Sequence, residues 1–188
     1  SCERTALNLL SRMSGIATHT NLLVSKIRKI NKKISLYSTR KTAPGFRYFD
    51  KEAVKIGGGH KHRMALDDMV MIKDNHLLVC NSIEDIIKSA RKRHKHVEVE
   101  VENQRDAILA ASSGATIVML DNFSPVQIKK TIAALQKKKL RNKVKLEASG
   151  GINSKNISAY AKTGVDMISV GSITNSVSGL DLSLEVYV

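Results

Sequence analysis

Along the first thirty positions the apolar residues recur in steps of three and four. Ala6, Leu9, Leu10, Met13, Ile16, Ala17, Leu23, Val24, Ile27 and Ile30 fall on one stripe, which predicts a helix over residues 3–30. Ser14-Gly15 sits mid-stripe and predicts a kink or a split. After this, short apolar runs alternate with helical periodicity. Strands are predicted at 34–38, 53–56, 69–73, 97–101, 116–120, 144–148 and 167–170, and helices at 82–93, 104–112, 124–138 and 154–163. Ser82 with Asp85 reads as a capping-box variant, and Ser124-Pro125 as a cap followed by a first-turn proline. Strands alternating with helices predict an α/β fold around a parallel sheet.

The strand ends carry the chemistry. The first delivers Thr39, Arg40 and Lys41, before a stiff Pro44-Gly45 turn. The second delivers Gly57-Gly58-Gly59 and then His60, Lys61, His62 and Arg63; the third delivers Lys73, Asp74, Asn75 and His76. Later strands deliver Asp121-Asn122, Ser149-Gly150-Gly151 and Ser169-Val170-Gly171-Ser172. In α/β barrels the site is built at the carboxyl ends of the strands. The expected architecture is therefore a TIM-like parallel α/β barrel, incomplete with about seven strands and preceded by a long N-terminal helix, with an open doubly wound sheet as the alternative. The whole of 1–188 reads as one catalytic domain, with 1–30 as a linking helix.

Length and composition agree with that reading and narrow the setting. At 188 residues and 42% hydrophobic content, one domain with a sizeable core is expected. No run of 18 apolar residues is present, so no membrane span is expected. Ser1-Cys2-Glu3-Arg4 is not a signal peptide, and a start almost directly in a helix suggests further chain upstream. Two cysteines, Cys2 and Cys80, make neither a disulfide framework nor a metal spacing, which favours a cytoplasmic compartment. The net charge of +14 is the outlier. It suits nucleic acid or a highly anionic small substrate. The densest basic runs, 26–33, 91–96 and 137–145, close predicted helices, where cations complement the dipole and face water. Aromatic content of 4% leaves few stacking platforms for nucleic acid.

Sorting the strand ends by charge sharpens the substrate. Arg40, Lys41, Arg63 and Lys73, with His62 and His76 alongside, imply a ligand with several negative charges. Glu98, Glu100 and Glu102 share one face by period two, with Val97, Val99 and Val101 on the other. Glu98 and Glu102 are expected to pair with lysines such as Lys145. Glu100, joined by Asp121, is an oxygen-only pair beside a polyanion, which suits Mg²⁺. The glycines of Ser149-Gly150-Gly151 and of Ser169-Val170-Gly171 let backbone N–H groups approach a phosphate. No nucleophile constellation stands out: Cys80 has no evident base, and His60 and His62 lack a third metal ligand at hand. The site reads as electrostatic, suited to transfer of a phosphorylated sugar from a diphosphate leaving group.

The residues Glu3-Arg4-Thr5-Ala6-Leu7-Asn8, Ser14-Gly15-Ile16-Ala17, Thr39 through Arg47, Lys73-Asp74-Asn75-His76, Leu120-Asp121-Asn122 and Glu147-Ala148-Ser149-Gly150-Gly151-Ile152 together resemble the quinolinate phosphoribosyltransferase family. The resemblance runs from Glu3 to Leu184. It implies conversion of quinolinate and 5-phosphoribosyl-1-diphosphate to nicotinate mononucleotide, CO₂ and diphosphate in NAD biosynthesis. It also implies that Arg4, Arg40, His62, Arg63 and Lys73 hold the dicarboxylate. Lys41, Glu100 and Asp121 would serve the diphosphate and its Mg²⁺. Thr39, Ser149, Gly150, Gly151, Ser169, Val170 and Gly171 complete the expected substrate site, and Lys41, Lys73, Glu100 and Asp121 are the candidate catalytic set. The family's N-terminal sandwich domain has no counterpart in these 188 residues. A homodimer or dimer-based oligomer is implied, in which Arg4 reaches the neighbouring subunit's site. The related nicotinate enzyme, a non-catalytic paralogue and, remotely, a basic nucleic-acid-binding protein stand as alternatives.

Overall fold

The computed structural model describes residues 2–73, 75–76, 82–185 and 187. Asp74 and Cys80, both singled out above, lie outside them. The elements run α1 (Cys2–Arg28), β1 (Ser35–Tyr37), α2 (Arg47–Ile56), β2 (Val70–Ile72), α3 (Ile83–Arg93), β3 (Val97–Val101), α4 (Gln104–Ser112), β4 (Ile117–Asp121), α5 (Pro125–Lys137), a 3₁₀ turn (Arg141–Lys143), β5 (Lys145–Ser149), α6 (Ile157–Ala161), β6 (Met167–Ser169) and α7 (Ser172–Asn175). No described helix is long and apolar enough to cross a membrane.

Several boundaries follow from local chemistry. The Ser82 hydroxyl accepts from the Asp85 amide and starts α3. Ser124 and Gln127 form a full capping box at the start of α5, with Pro125 in its first turn. Asn103 caps α4 by accepting from the Asp106 amide. The basic runs do close helices, with Lys26 and Arg28 in the last turn of α1, Arg91, Lys92 and Arg93 in that of α3, and Lys137 in that of α5.

All strand pairs are parallel, in the order β1-β6-β5-β4-β3-β2. Strands 2 to 6 follow one another in sequence, and β1 returns beside β6. That is the circular order of a barrel, and among the described residues no switch point of a doubly wound sheet interrupts it. Among the described residues β1 and β2 do not pair with each other. The place between them is taken by the segment at His60, which forms a single parallel bridge to Tyr37. Arg63 then reaches the start of β2, its Nη1 donating at 3.3 Å to the carbonyl of Met69, the residue before that strand.

Two expectations are corrected. Residues 53–56 are the last turn of α2 and not a strand: Ala53 and Val54 are buried on an amphipathic helix. A four-residue apolar run ahead of glycines does not distinguish a strand from a helix end. Ser14-Gly15 neither kinks nor splits α1, which is continuous. Instead Gly15 is buried beneath the C-terminal segment, and a Cβ there would lie 2.1 Å from the Ser178 carbonyl oxygen.

The core fills the space between sheet and helices. Val97, Val99, Val101, Val118, Leu120, Leu146, Ala148, Ile168 and Val170 turn outward from the strands onto Ile87, Ala107, Ala110, Ile128, Leu135 and Ile157. By period two, Glu98, Glu100, Met119, Asp121, Glu147, Ser149, Met167 and Ser169 turn to the opposite, inner face. Register sets Glu100, Met119, Glu147 and Met167 in one row across four strands. The inner face is thus polar where the outer is hydrocarbon.

Candidate active site

The carboxyl ends of the strands surround a cavity of about 270 Å³. Its walls take Ser38, Thr39, Arg40 and Lys41 from beyond β1, His62 and Arg63 from the neighbouring segment, Met71 and Lys73 from β2, Glu100 from β3, Met119 and Asp121 from β4, Glu147 and Ser149 from β5, and Ser169 from β6. Ten of these residues carry the chemistry expected from the sequence, although they come from stretches as far apart as Thr39 and Ser169.

One wall is cationic. Arg63 is 7% exposed. Its Nη2 lies 3.0 Å from the Met71 sulfur, while Nε of both Arg63 and Arg40 is buried with no hydrogen-bond partner among the described residues. An unsatisfied buried donor costs about 1–3 kcal/mol, and a bound carboxylate would remove that cost by accepting from it. Burial lowers the Arg63 pKa, with Arg40 adding to the effect against the pull of Glu98 and Glu100.

The facing wall is anionic. Lys73 Nζ donates to Glu100 Oε2 at 2.8 Å. Burial and then the charge of Glu100 raise the Asp121 pKa, against Lys73 and Lys41. Asn122, in the left-handed region at φ 55°, donates from Nδ2 to Asp121 Oδ2 at 2.7 Å. The two carboxylates repel each other, so a divalent cation between them and a polyphosphate would relieve both.

At the ends of β5 and β6 lie the glycine loops. Gly150 adopts φ +88°, and a Cβ there would stand 2.2 Å from Asn122 Oδ1, so this turn excludes side chains on two counts. Gly171 lies against Thr39 and Lys41, each 3.6 Å from where a Cβ would be. The Ser172 hydroxyl is buried without a partner among the described residues. Gly150, Gly151 and Gly171 border the cavity walls without being part of them. Val170 packs in the core, its amide bonded to the Tyr37 carbonyl at 3.0 Å.

At the cavity wall, where His62 and Glu147 meet Glu98, sits a trio that the sequence reading missed. His62 Nε2 lies 3.3 Å from Glu147 Oε2 and 3.5 Å from Glu98 Oε2, and both glutamates are fully buried. Glu147 Oε1 also accepts from Ser169 Oγ at 2.5 Å. Glu98 therefore turns to His62 and not to Lys145, which is exposed; Glu102 is exposed as well. Burial alone would lower the His62 pKa, but Glu147 and Glu98 outweigh it and raise it to about 9. Burial raises that of Glu98. Both directions describe a trio that keeps an extra proton at neutral pH. His62 thus has partners with metal-ligating atoms from distant strands, all within 4.8 Å. Yet the Arg63 amide donates to His62 Nδ1 at 2.9 Å. With Nδ1 accepting, Nε2 carries the ring's one proton, the trio's extra proton is shared with its carboxylates, and a proton rather than a metal suits this trio.

Arg4 is not brought to the cavity: it is exposed on the first turns of α1. Glu147 was readable only in hindsight, as the inward residue two places before Ser149.

Residues 16–185 match the family model described as quinolinate phosphoribosyl transferase, C-terminal domain. A probable nicotinate-nucleotide pyrophosphorylase (carboxylating) from Methanothermobacter thermautotrophicus is 51% identical over 187 residues, covering 98% of this chain and 67% of its own. The nicotinate-nucleotide pyrophosphorylase (carboxylating) of Rattus norvegicus is 40% identical, over 98% of this chain and 62% of its own. The solved nicotinate-nucleotide pyrophosphorylase of Francisella tularensis superposes with a TM-score of 0.88 at 46% identity, covering 96% of this chain and 63% of that one. The chain thus spans between 62% and 67% of the length of these relatives.

Proposed function

Since the chain belongs to the quinolinate phosphoribosyl transferase family, through its C-terminal domain, we propose that it is the catalytic barrel of an enzyme converting quinolinate and 5-phosphoribosyl-1-diphosphate to nicotinate mononucleotide, CO₂ and diphosphate. The observation that carries this reading is the division of one cavity into a cationic wall, with two arginine Nε atoms that have no partner among the described residues, and an anionic wall formed by Glu100 and Asp121.

Arg40, Arg63 and Lys73 hold the two carboxylates of quinolinate and orient the pyridine nitrogen, and His62, its ring nitrogens engaged by the Arg63 amide and the two buried glutamates, supports the same end of the site. Lys41 faces the diphosphate. Ser149, Gly150, Gly151, Ser169, Val170 and Gly171 form the 5-phosphate end, with Thr39 beside them. The ring nitrogen attacks the anomeric carbon, the C–O bond to diphosphate breaks, and an oxocarbenium-like state lies between. The alkylated nitrogen is then positive, so its charge stabilises the electron pair left on the adjacent ring carbon when that carbon's carboxylate departs as CO₂. A proton from water replaces it on the ring carbon. No side chain need act as nucleophile; the barrier falls through positioning and charge. Glu100 and Asp121 fit Mg²⁺ by donor type, and when bound that ion would offset charge on the diphosphate. Arg4, exposed on α1, would serve the site of a second copy in a homodimer, and the enzyme would work in the cytoplasm.

The test is incubation of the full-length protein with quinolinate, the phosphoribosyl donor and Mg²⁺. Release of CO₂ with formation of nicotinate mononucleotide is expected. No release, with nicotinate consumed instead, would move the protein to the related nicotinate reaction.

A further inference from the structure

Helix α2 carries two consecutive charged residues, Asp50 and Lys51, both fully buried and neither in the cavity wall. Each reaches a different cation-bearing loop. Asp50 Oδ2 accepts from the Ala43 amide at 3.3 Å. Its carboxylate is gripped by Arg12 of α1, Nε to Oδ1 and Nη2 to Oδ2, each at 2.8 Å. The same Nη2 donates to the Thr174 carbonyl at 3.0 Å, and the Thr174 hydroxyl donates to the Lys41 carbonyl at 2.7 Å. The backbone of the Lys41–Ala43 loop is thus tied at both ends to α1, α2 and α7. Lys51 Nζ donates to the Lys61 carbonyl, which also accepts from Ser38 Oγ at 3.1 Å. Lys61 directly precedes His62 and Arg63. Neighbouring positions on a helix point about 100° apart, so one helix can address two loops.

Burying charges has a desolvation cost, and apolar replacements of similar shape are often neutral or stabilising. Packing therefore gives no reason for this pair. Resting on the functional reading above, we propose that Asp50 and Lys51 are positioning residues with separate tasks. Asp50, with Arg12 and Thr174, sets Lys41 against the phosphoribosyl donor; Lys51 sets His62 and Arg63 against the dicarboxylate.

The experiment is steady-state kinetics on the full-length protein, paired with amide hydrogen exchange. Asp50→Asn and Thr174→Val are expected to raise the KM for the donor about tenfold while moving that for quinolinate less than about twofold. Lys51→Met is expected to do the reverse, and Thr174→Ser to restore the donor KM. Thr174→Val keeps the test open if Asp50→Asn does not fold. Exchange should quicken at Lys41–Ala43 in Thr174→Val and at His62–Arg63 in Lys51→Met, with β4 and β5 unchanged. Equal changes in both KM values, or unaltered exchange in both segments, would overturn the proposal. An inactive wild-type protein with the two exchange patterns intact would instead sink the functional reading and leave the positioning one standing.

Discussion

Arg63 joins burial to recognition. Its guanidinium is held by a backbone carbonyl and a methionine sulfur, and its Nε has no partner among the described residues. Arg63→Ala is expected to raise the KM for quinolinate by on the order of tenfold to a hundredfold, the worth of one charged hydrogen-bond set. The donor KM should hardly move, and initial-rate kinetics at fixed donor would show it; equal loss of both would contradict its place on the cationic wall. Asp121 makes the complementary case. Asp121→Asn is expected to shift the Mg²⁺ titration of activity to higher concentration, and an unchanged titration would argue against it as a ligand. Residues of this kind are legible in sequence because charge at a strand end is out of place unless used. Asp50 and Lys51 were not legible, because a charge inside a helix looks the same whether it faces water or the interior; the side of Glu147 follows from period two, but its partner does not.

At the scale of elements, α2 shows the limit of pattern. Residues 53–56 have the apolar run of a strand, yet Asp50, Lys51, Ala53 and Val54 form one buried helical face. What meets β1 on the edge away from β6 is the bridge at His60, four residues past that helix end. The predicted spans 104–112 and 82–93 were recovered almost to the residue, because Asn103 and Ser82 set their starts. Gly15 shows that a glycine in a helix need not bend it. Gly15→Ala would drive a methyl into the Ser178 carbonyl, and overpacking of this kind costs about 1–3 kcal/mol. A lower urea midpoint is expected; an unchanged one would mean that the C-terminal segment moves aside freely.

Across the whole molecule, charge is sorted along the strand direction. The basic runs close helices and so precede the strands, while the cavity lies at the strands' carboxyl ends. Two buried groups then set opposing pH effects. The buried trio holds a proton more tightly than the unfolded chain does, with His62 raised from 6.5 to about 9, so it contributes stability that is fully present below about 6.5 and lost as pH rises through 9. The Lys51 pKa is lowered from 10.5 to about 8, chiefly by burial and then by Arg47 and Arg40. The unfolded chain therefore binds that proton more tightly between those values, and stability recovers as pH rises from 8 to 10.5. Urea midpoints should fall from pH 6.5 to 8, level off near 8 to 9, and climb beyond. Lys51→Met should abolish the climb and leave the fall; a wild-type curve that is flat from 6.5 to 8 would contradict the buried trio.

Outside residues 47–56, the alternating order of strands and helices, the caps at Ser82 and Ser124 and the chemistry at the strand ends are properties of short stretches, and the sequence by itself determined them. Spacing of apolar residues and local hydrogen bonding act within a few positions, so no distant contact is needed to read them. Which inward glutamate meets His62, where the sheet turns back on itself, and that Asp50 and Lys51 face inward were decided only by the tertiary structure. Each depends on desolvation, and whether a charge is dry or wet is set by what other parts of the chain bring over it.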